Sequence, residues 1–375
     1  MTLGEFWFIV AALFWVGFMI LEGFDFGVGM LHTFVGRSDT ERRVLINTIG
    51  PVWDGNEVWL IVAGAVIFAA FPAWYATMFS ALYLALVILL IALIVRGVAF
   101  EYTRKFDDRR WRTFWRVGMT VGSALIPFLV GVALGDLLHG LPINSQHEYT
   151  GGFWQLLTPF GLWTGLTLTV LSLLMGSTYL ALKTTGDLQV RAQRAAIGIG
   201  VAAVLVTFGF MTWVHVGLST GFVPEPLEAL ALLAVLAAAW LASAKADGWA
   251  FLAGAVGIGG TVGSIFNELY PRVMISSTNT AYNLTVTNSA SPSYTLKVMT
   301  VVALVLLPVI VAYQAWGYHI FRHRLSMPPV GGDDVRADGA GRDGSGDGAS
   351  GEGADGDATT SGQGAVVRGS PVEAP

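Results

Sequence analysis

Nine blocks of apolar residues, each long enough to cross a bilayer as a helix, dominate this chain and leave few alternatives for its fold. They run at about 6–33, 57–72, 76–98, 116–138, 160–182, 195–217, 228–243, 249–267 and 297–320, against a requirement of roughly 17–25 residues per span. Only 13% of the residues are charged and 54% are hydrophobic, with a mean hydropathy of +0.62. Soluble domains carry about twice that charge. The expected fold class is therefore an all-α integral membrane protein with about nine transmembrane helices. The N-terminal apolar stretch has no basic flank and no small-residue cleavage site, so it reads as a first span rather than a signal peptide.

Arginines and lysines orient the spans. Loops after odd-numbered segments hold Arg37, Arg42 and Arg43, then Arg104, Lys105, Arg109, Arg110 and Arg112 flanked by Arg96 and Arg116, then Lys183, Arg191 and Arg194, then Lys245. Arg322 and Arg324 follow the last segment, whereas loops after even segments hold only Arg272, with Lys297 opening the last span. Basic loops stay on the cytoplasmic side, which places the N-terminus outside and the C-terminus inside. Trp7, Trp74, Trp154 and Trp213 then fall near outer ends and Trp53, Trp111, Trp115 and Trp249 near inner ends, as interfacial anchors. Residues 1–325 form the transmembrane domain. Residues 326–375 read as a disordered cytoplasmic tail, Gly/Asp-rich and nearly free of large apolar residues. From Pro328 onward it holds nine acids and three arginines, so the net charge of −5 comes from the tail.

Against this background, "LEGFDFGVGML" is costly. Glu22 and Asp25 lie about 24 and 29 Å along a first helix that starts near Phe6. Both are thus in its inner half, on one face at a spacing of three. Gly23 and Gly27 open the adjoining side to close approach by another helix. Intramembrane carboxylates that face protein mark ion or proton routes; the plainer alternative is that they are buried partners of an arginine from the inner loops. A second polar group, "GPVWDGNEVWL", puts Asp54, Asn56 and Glu57 where the chain re-enters the membrane on the same side. Asp54 or Asn56 suits a helix N-cap; together with Asp25, Asp54 would line a cytoplasmic mouth for proton uptake. Trp53 and Gly55 are expected to shape the turn.

There is no cysteine, which removes thiolate-ligated metal and covalent c-type haem attachment. Of six histidines only His215 lies inside an apolar segment, near its outer end, so no histidine pair is set to bind a haem. There is no phosphate loop, zinc-type cluster or nucleophile elbow, and nothing suggests a nucleic-acid partner. Two classes remain: a proton-coupled secondary transporter, and a membrane subunit of a proton-consuming redox complex.

Longer motifs favour the second. "EGFDFGVGML", "GRSDTERRVLINTIGPVWDGNEVWLIVAGAVIFAAFP", "RGVAFEYTRK", "GVALGDLLHGLPIN", "FWQLLTPFGLWTGL", "YPRVMISS" and "TLKVMTVVALVLLPVI" resemble, in order, subunit II of cytochrome bd-type quinol oxidases. The resemblance spans nearly all of residues 5–325. It implies two four-helix bundles plus a peripheral helix. It also implies a haem-free chain in the bacterial cytoplasmic membrane, paired with a haem-bearing subunit I that holds two haems b and one haem d. Small accessory subunits and lipids are further partners it implies. The complex would oxidise quinol and reduce oxygen to water. The family's motif acids fall on Asp25 and Asp54, positions the resemblance links to proton delivery. Glu22 matches an acid position in relatives, and Glu57 is the least supported.

Overall fold

A computed structural model describes residues 1–217 and 225–327; most of the acidic tail, from residue 328, lies outside the described residues. Among them, nine helices are long and apolar enough to cross a membrane. The chain begins with α1 (Leu3–Val35), capped by a reciprocal Thr2–Glu5 box, and a short α2 (Asp39–Asn47), capped the same way by Ser38 and Glu41. Then come α3 (Trp53–Ala70), α4 (Pro72–Ala81), α5 (Tyr83–Tyr102) and α6 (Arg109–His139). After a loop follow α7 (Pro159–Lys183), α8 (Gly186–Gly217), α9 (Pro226–Ser243) and α10 (Asp247–Leu269). A two-stranded antiparallel ribbon, β1 (Arg272–Met274) and β2 (Leu284–Thr285), leads through α11 (Val286–Ser289) into α12 (Ser293–Ile320).

Every apolar block finds a helix, but the third block does not coincide with one. Residues 76–98 straddle the end of α4 and the start of α5, with Leu82 breaking the helix between them. Pro72 starts α4 at its first turn, where a missing N–H costs nothing; hydropathy alone does not register such a break. Helices α6 and α8 extend seven and nine residues beyond their apolar blocks, because their polar first turns project from the hydrocarbon.

Helix α1 packs along α3, α6, α7 and α10, while α8 and α9 complete the packing around α7 and α10. Helix α12 leans on α1 and α3 and buries only Leu296. Helix α7 is the most enclosed span. Its backbone meets α1 where Gly27 crosses Gly176: a methyl on Gly27 would lie 2.7 Å from Gly176 Cα and closer still to the Ser172 carbonyl. A methyl on Gly131 of α6 would likewise lie 2.6 Å from Gly165 Cα. Without a hydrophobic driving force between helices in lipid, such backbone contact is a main source of attraction. Gly23, by contrast, faces the Ile258 side chain of α10.

The basic end is tied down by polar side chains. Arg191 Nε donates to the Val35 carbonyl at 2.9 Å, and its Nη2 pairs with Glu41 at 2.7 Å. Burial opposes the charge on Glu41, but the Arg37 N–H and the Arg191 guanidinium outweigh it and hold the carboxyl below its usual 4.5. That contribution to stability is present above the ordinary carboxylate range and fades as pH falls through the lowered value. Tyr179 Oη donates to the Thr48 carbonyl at 3.0 Å, and Lys183 Nζ donates to the carbonyls of Phe321 and His323. At the opposite end, the two long loops are stitched together: Leu141 N–H donates to the Ile275 carbonyl and Ser277 N–H to that of Leu141, each at 2.9 Å. Two tryptophans expected as interfacial anchors are interior instead. Trp74 is fully buried, and Trp7 donates from Nε1 to the Leu296 carbonyl at 3.2 Å, joining α1 to α12.

Gly27→Ala should destabilise the folded chain by about 2–3 kcal/mol, because the added methyl meets backbone that has no rotamer to change. Gly64→Ala on α3, where a methyl meets only a Phe79 ring atom at 3.8 Å, should be neutral or slightly stabilising. Denaturation midpoints in mild detergent measure both.

Candidate functional site

At the basic end of α1, Glu22 and Asp25 are both fully buried within protein. Glu22 faces Arg96, on α5 and also fully buried, with 2.6 Å between Oε1 and Nη1. The pair is close but out of hydrogen-bond alignment, so charge rather than a directed bond holds it, and Arg96 Nε and Nη2 have no protein partner. Aromatic faces take up part of that deficit. The guanidinium carbon lies 4.9 Å from the Phe26 ring centre, 5.5 Å from Phe100 and 5.9 Å from Trp53, within the range of cation–π attraction. Glu57, one-fifth exposed, comes to 4.0 Å from the same guanidinium.

Asp25 has a different neighbour. Its Oδ2 accepts from Asn56 Nδ2 at 2.7 Å, and Asn56 uses its other amide proton on the Leu21 carbonyl at 3.1 Å. Asn56 Oδ1 accepts from Gln314 Nε2 at 2.7 Å and from Tyr318 Oη at 2.8 Å. All four hydrogen-bonding positions of this buried amide are therefore used, and it fastens α1, α3 and α12 together. Asp25 Oδ1 has no protein partner.

The structure thus brings Glu22, Asp25, Asn56 and Glu57 into one polar cluster and leaves Asp54 outside it. Asp54 is exposed in the first turn of α3 and makes neither an ion pair nor a side-chain hydrogen bond among the described residues. Neither Asp54 nor Asn56 caps the helix; Val52 stands at the N-cap without a side-chain bond. Trp53 stacks on Phe100 with ring centres 4.5 Å apart and planes 9° from parallel. Gly55 lies against Gln314, where a methyl would approach Oε1 to 3.4 Å. Gly27 serves helix contact two residues beyond Asp25, as described above.

Three members were not singled out from the sequence. Arg96 reads there as one more arginine of a basic loop, yet it sits six residues inside α5 and is the direct partner of Glu22. Its signal was position: an arginine still within an apolar segment, followed by Gly97. Gln314 and Tyr318 come from α12, some 260 residues away in sequence, and nothing local marks them. A separate buried acid, Asp136, lies at the other end of α6. Its Oδ1 accepts from Thr158 Oγ1 at 2.6 Å, and Oδ2 has no protein partner. Glu228, 2% exposed, faces His215 at 3.9 Å on that same end.

A polytopic helical membrane protein with an ion-paired polar cluster sunk into its basic end is the class this fold and site define. Residues 3–321 match the family described as cytochrome bd terminal oxidase subunit II, and the chain belongs to it. Cytochrome bd ubiquinol oxidase subunit 2 of Bacillus subtilis (strain 168) is 44% identical over 330 residues, covering 87% of this chain and 97% of that one. Cytochrome bd-I ubiquinol oxidase subunit 2 of Escherichia coli (strain K12) is 37% identical over 350 residues, covering 83% and 92%. These relatives are subunits of oxidoreductases. A chain in the structure of bd oxidase from Geobacillus thermodenitrificans shares the fold, with a TM-score of 0.64 at 17% identity over 85% of this chain and 99% of that one.

Removing Arg96 while keeping Glu22 should cost about 3–5 kcal/mol, the penalty of an uncompensated buried charge. Arg96→Leu combined with Glu22→Gln should recover a substantial part of that loss. A double-mutant cycle on unfolding in detergent checks it; purely additive losses would mean the two are not coupled.

Proposed function

We infer that this chain is the haem-free subunit II of a cytochrome bd-type terminal oxidase in the bacterial cytoplasmic membrane. It pairs with a haem-bearing subunit I that oxidises quinol and reduces oxygen to water, and it supplies a cytoplasmic route for protons consumed there. Family membership over residues 3–321 carries the reading. On this account the N-terminus is outside, residues 1–325 form the membrane domain, and the acidic tail is a cytoplasmic appendage.

The donor set of the chain fits a subunit whose haems, two of type b and one of type d, are held by its partner. His32 donates from Nδ1 to the Gly29 carbonyl at 2.7 Å near the basic end of α1, and His215 lies near the other end of α8. His139, His319 and His323 are exposed, and His147 is in a loop. These side chains do not present two buried imidazoles at one depth, which a bis-histidine haem would require.

The proton route runs from Asp54 at the exposed first turn of α3, past Asn56, to Asp25 and Glu22. What supports it is the bond from Asn56 to Asp25, because it joins the turn bearing Asp54 to the buried acids. One guanidinium facing Glu22 and Glu57, with Asp25 held beside them by Asn56, is a charge set whose balance changes with each proton taken up or released. Such a site lets protons pause in a low-dielectric interior without leaving a bare charge there. Trp53, Gly55 and Asn56 hold the turn, and Gly23 and Gly27 hold α1 against its neighbours.

The chain purified from its native membranes should carry haem b and d bands in a reduced-minus-oxidised spectrum, travelling with a second polytopic chain. A colourless, solitary protein would contradict the oxidase reading and favour a proton-coupled transporter. In the coloured complex, Asp25→Asn should slow quinol-driven oxygen consumption on the order of tenfold or more, and Asp54→Asn should slow it too. Unchanged rates in both would remove the proton route while leaving the subunit assignment intact.

A further inference from the structure

Five arginines of the basic end converge on one cavity of about 140 Å³ between the end of α1, helix α2, the end of α5 and the start of α6. They are Arg42, Arg43, Arg104, Arg112 and Arg116. The carboxylate among them is Asp39, which Arg42 approaches to 2.8 Å, Arg112 to 3.7 Å and Arg116 to 3.9 Å. Asp107, the other acid on the rim, is fully exposed and 3.7 Å from Arg112. One half-exposed carboxylate thus faces three guanidiniums. Arg104 adds a fourth, hydrogen-bonded only to the neutral Asn47 at 2.8 Å. Arg43 makes neither an ion pair nor a side-chain hydrogen bond among the described residues.

Orienting a membrane protein requires basic loops, not basic loops gathered around a hollow. Mutual repulsion would spread such side chains into water unless an anion rewarded their convergence. The walls specify which kind. Ile46, Phe100, Phe106 and Met119 line the same cavity, so an apolar surface stands beside the guanidiniums at the boundary between hydrocarbon and water. Guanidinium forks match the paired oxygens of a phosphoryl group, and basic pockets between helices on the cytoplasmic face suit anionic headgroups. We propose that this cavity binds a phosphate group, with the headgroup of an anionic phospholipid and a free phosphate anion as its two sources. The site is separate from the Glu22–Asp25 cluster and stands whether or not the oxidase reading does.

The test uses the full chain with any native partner, delipidated in mild detergent and followed by thermal shift and native mass spectrometry. The probes are phosphatidylglycerol, inorganic phosphate and, as zwitterionic control, phosphatidylcholine. Phosphatidylglycerol should bind and stabilise where phosphatidylcholine does not, and Arg43→Gln should weaken that binding on the order of fivefold. Arg43→Gln with Arg104→Gln should weaken it further, whereas Arg109→Gln with Arg110→Gln, which removes equal charge outside the cavity, should leave it unchanged. The same variant pattern with inorganic phosphate and not the lipid would support the site with free phosphate as its source. Equal losses in cavity and control variants, or no preference for either phosphate probe over phosphatidylcholine, would overturn the proposal. Arg43 has no partner to lose on folding, so the single variant decides if the double fails to fold.

Discussion

A guanidinium and a carboxylate 2.6 Å apart, both without solvent exposure, set the terms for the basic half of this molecule. Each ion alone would cost several kcal/mol to bury, so Arg96 and Glu22 must be delivered to each other by separate helices before either can be kept. The rings of Phe26, Trp53 and Phe100 complete the cage, and Trp53 in turn stacks flat on Phe100. Helix α5 is thereby locked to α1, and the turn that opens α3 is locked to both. The buried amide of Asn56 extends the arrangement to α12, of whose length only Leu296 is buried and which Trp7 and Lys183 hold near its two ends.

Rigid helix contact makes that delivery reproducible. Where α1 crosses α7 at Gly27 and Gly176, the two backbones touch, so α1 has little freedom to slide or rotate. Asp25 and Glu22 lie two and five residues from Gly27 at this crossing, and their depth and facing follow from it. Helix α7 is itself pinned against α6 at Gly131 and Gly165. Backbone contact therefore governs position, and the polar cluster governs what that position does: it holds charge and hydrogen-bonding groups at the basic end. The phosphate cavity lies beside this cluster on the same end, built from the arginines that the cluster does not use.

Much of the fold was legible because bilayer thickness imposes a length that hydropathy reports directly; each of the nine apolar blocks overlaps a spanning helix. The break at Leu82 was not legible, since α4 and α5 are both apolar and the signal carries no dihedral information. Within the site, Glu22 and Asp25 stood out because a carboxylate in an apolar run is anomalous by itself. Arg96 did not, because the end of a span is where arginines usually belong, and only tertiary structure distinguishes one turned inward from one facing water. The plainer reading of Glu22 as an arginine's partner is thus what the geometry displays, although the arginine comes from a helix rather than a loop. Gln314 and Tyr318 were beyond reach for another reason: they meet Asn56 across 258 and 262 residues, and their local sequence is that of an ordinary membrane helix. Trp74 shows the converse error, an apparent interface tryptophan that packs wholly inside.

The central claim is that Asp25, held by Asn56, exchanges protons as the oxidase turns over rather than serving only as a fixed strut. An infrared difference spectrum between the reduced and oxidised complex reports this directly through the carbonyl stretch of protonated carboxyl groups. The account predicts a carboxyl band that vanishes in Asp25→Asn and shifts in Asn56→Ala, which removes the hydrogen bond to Oδ2. A band that is identical in the native complex and both variants would show that Asp25 keeps one protonation state throughout, and would contradict it.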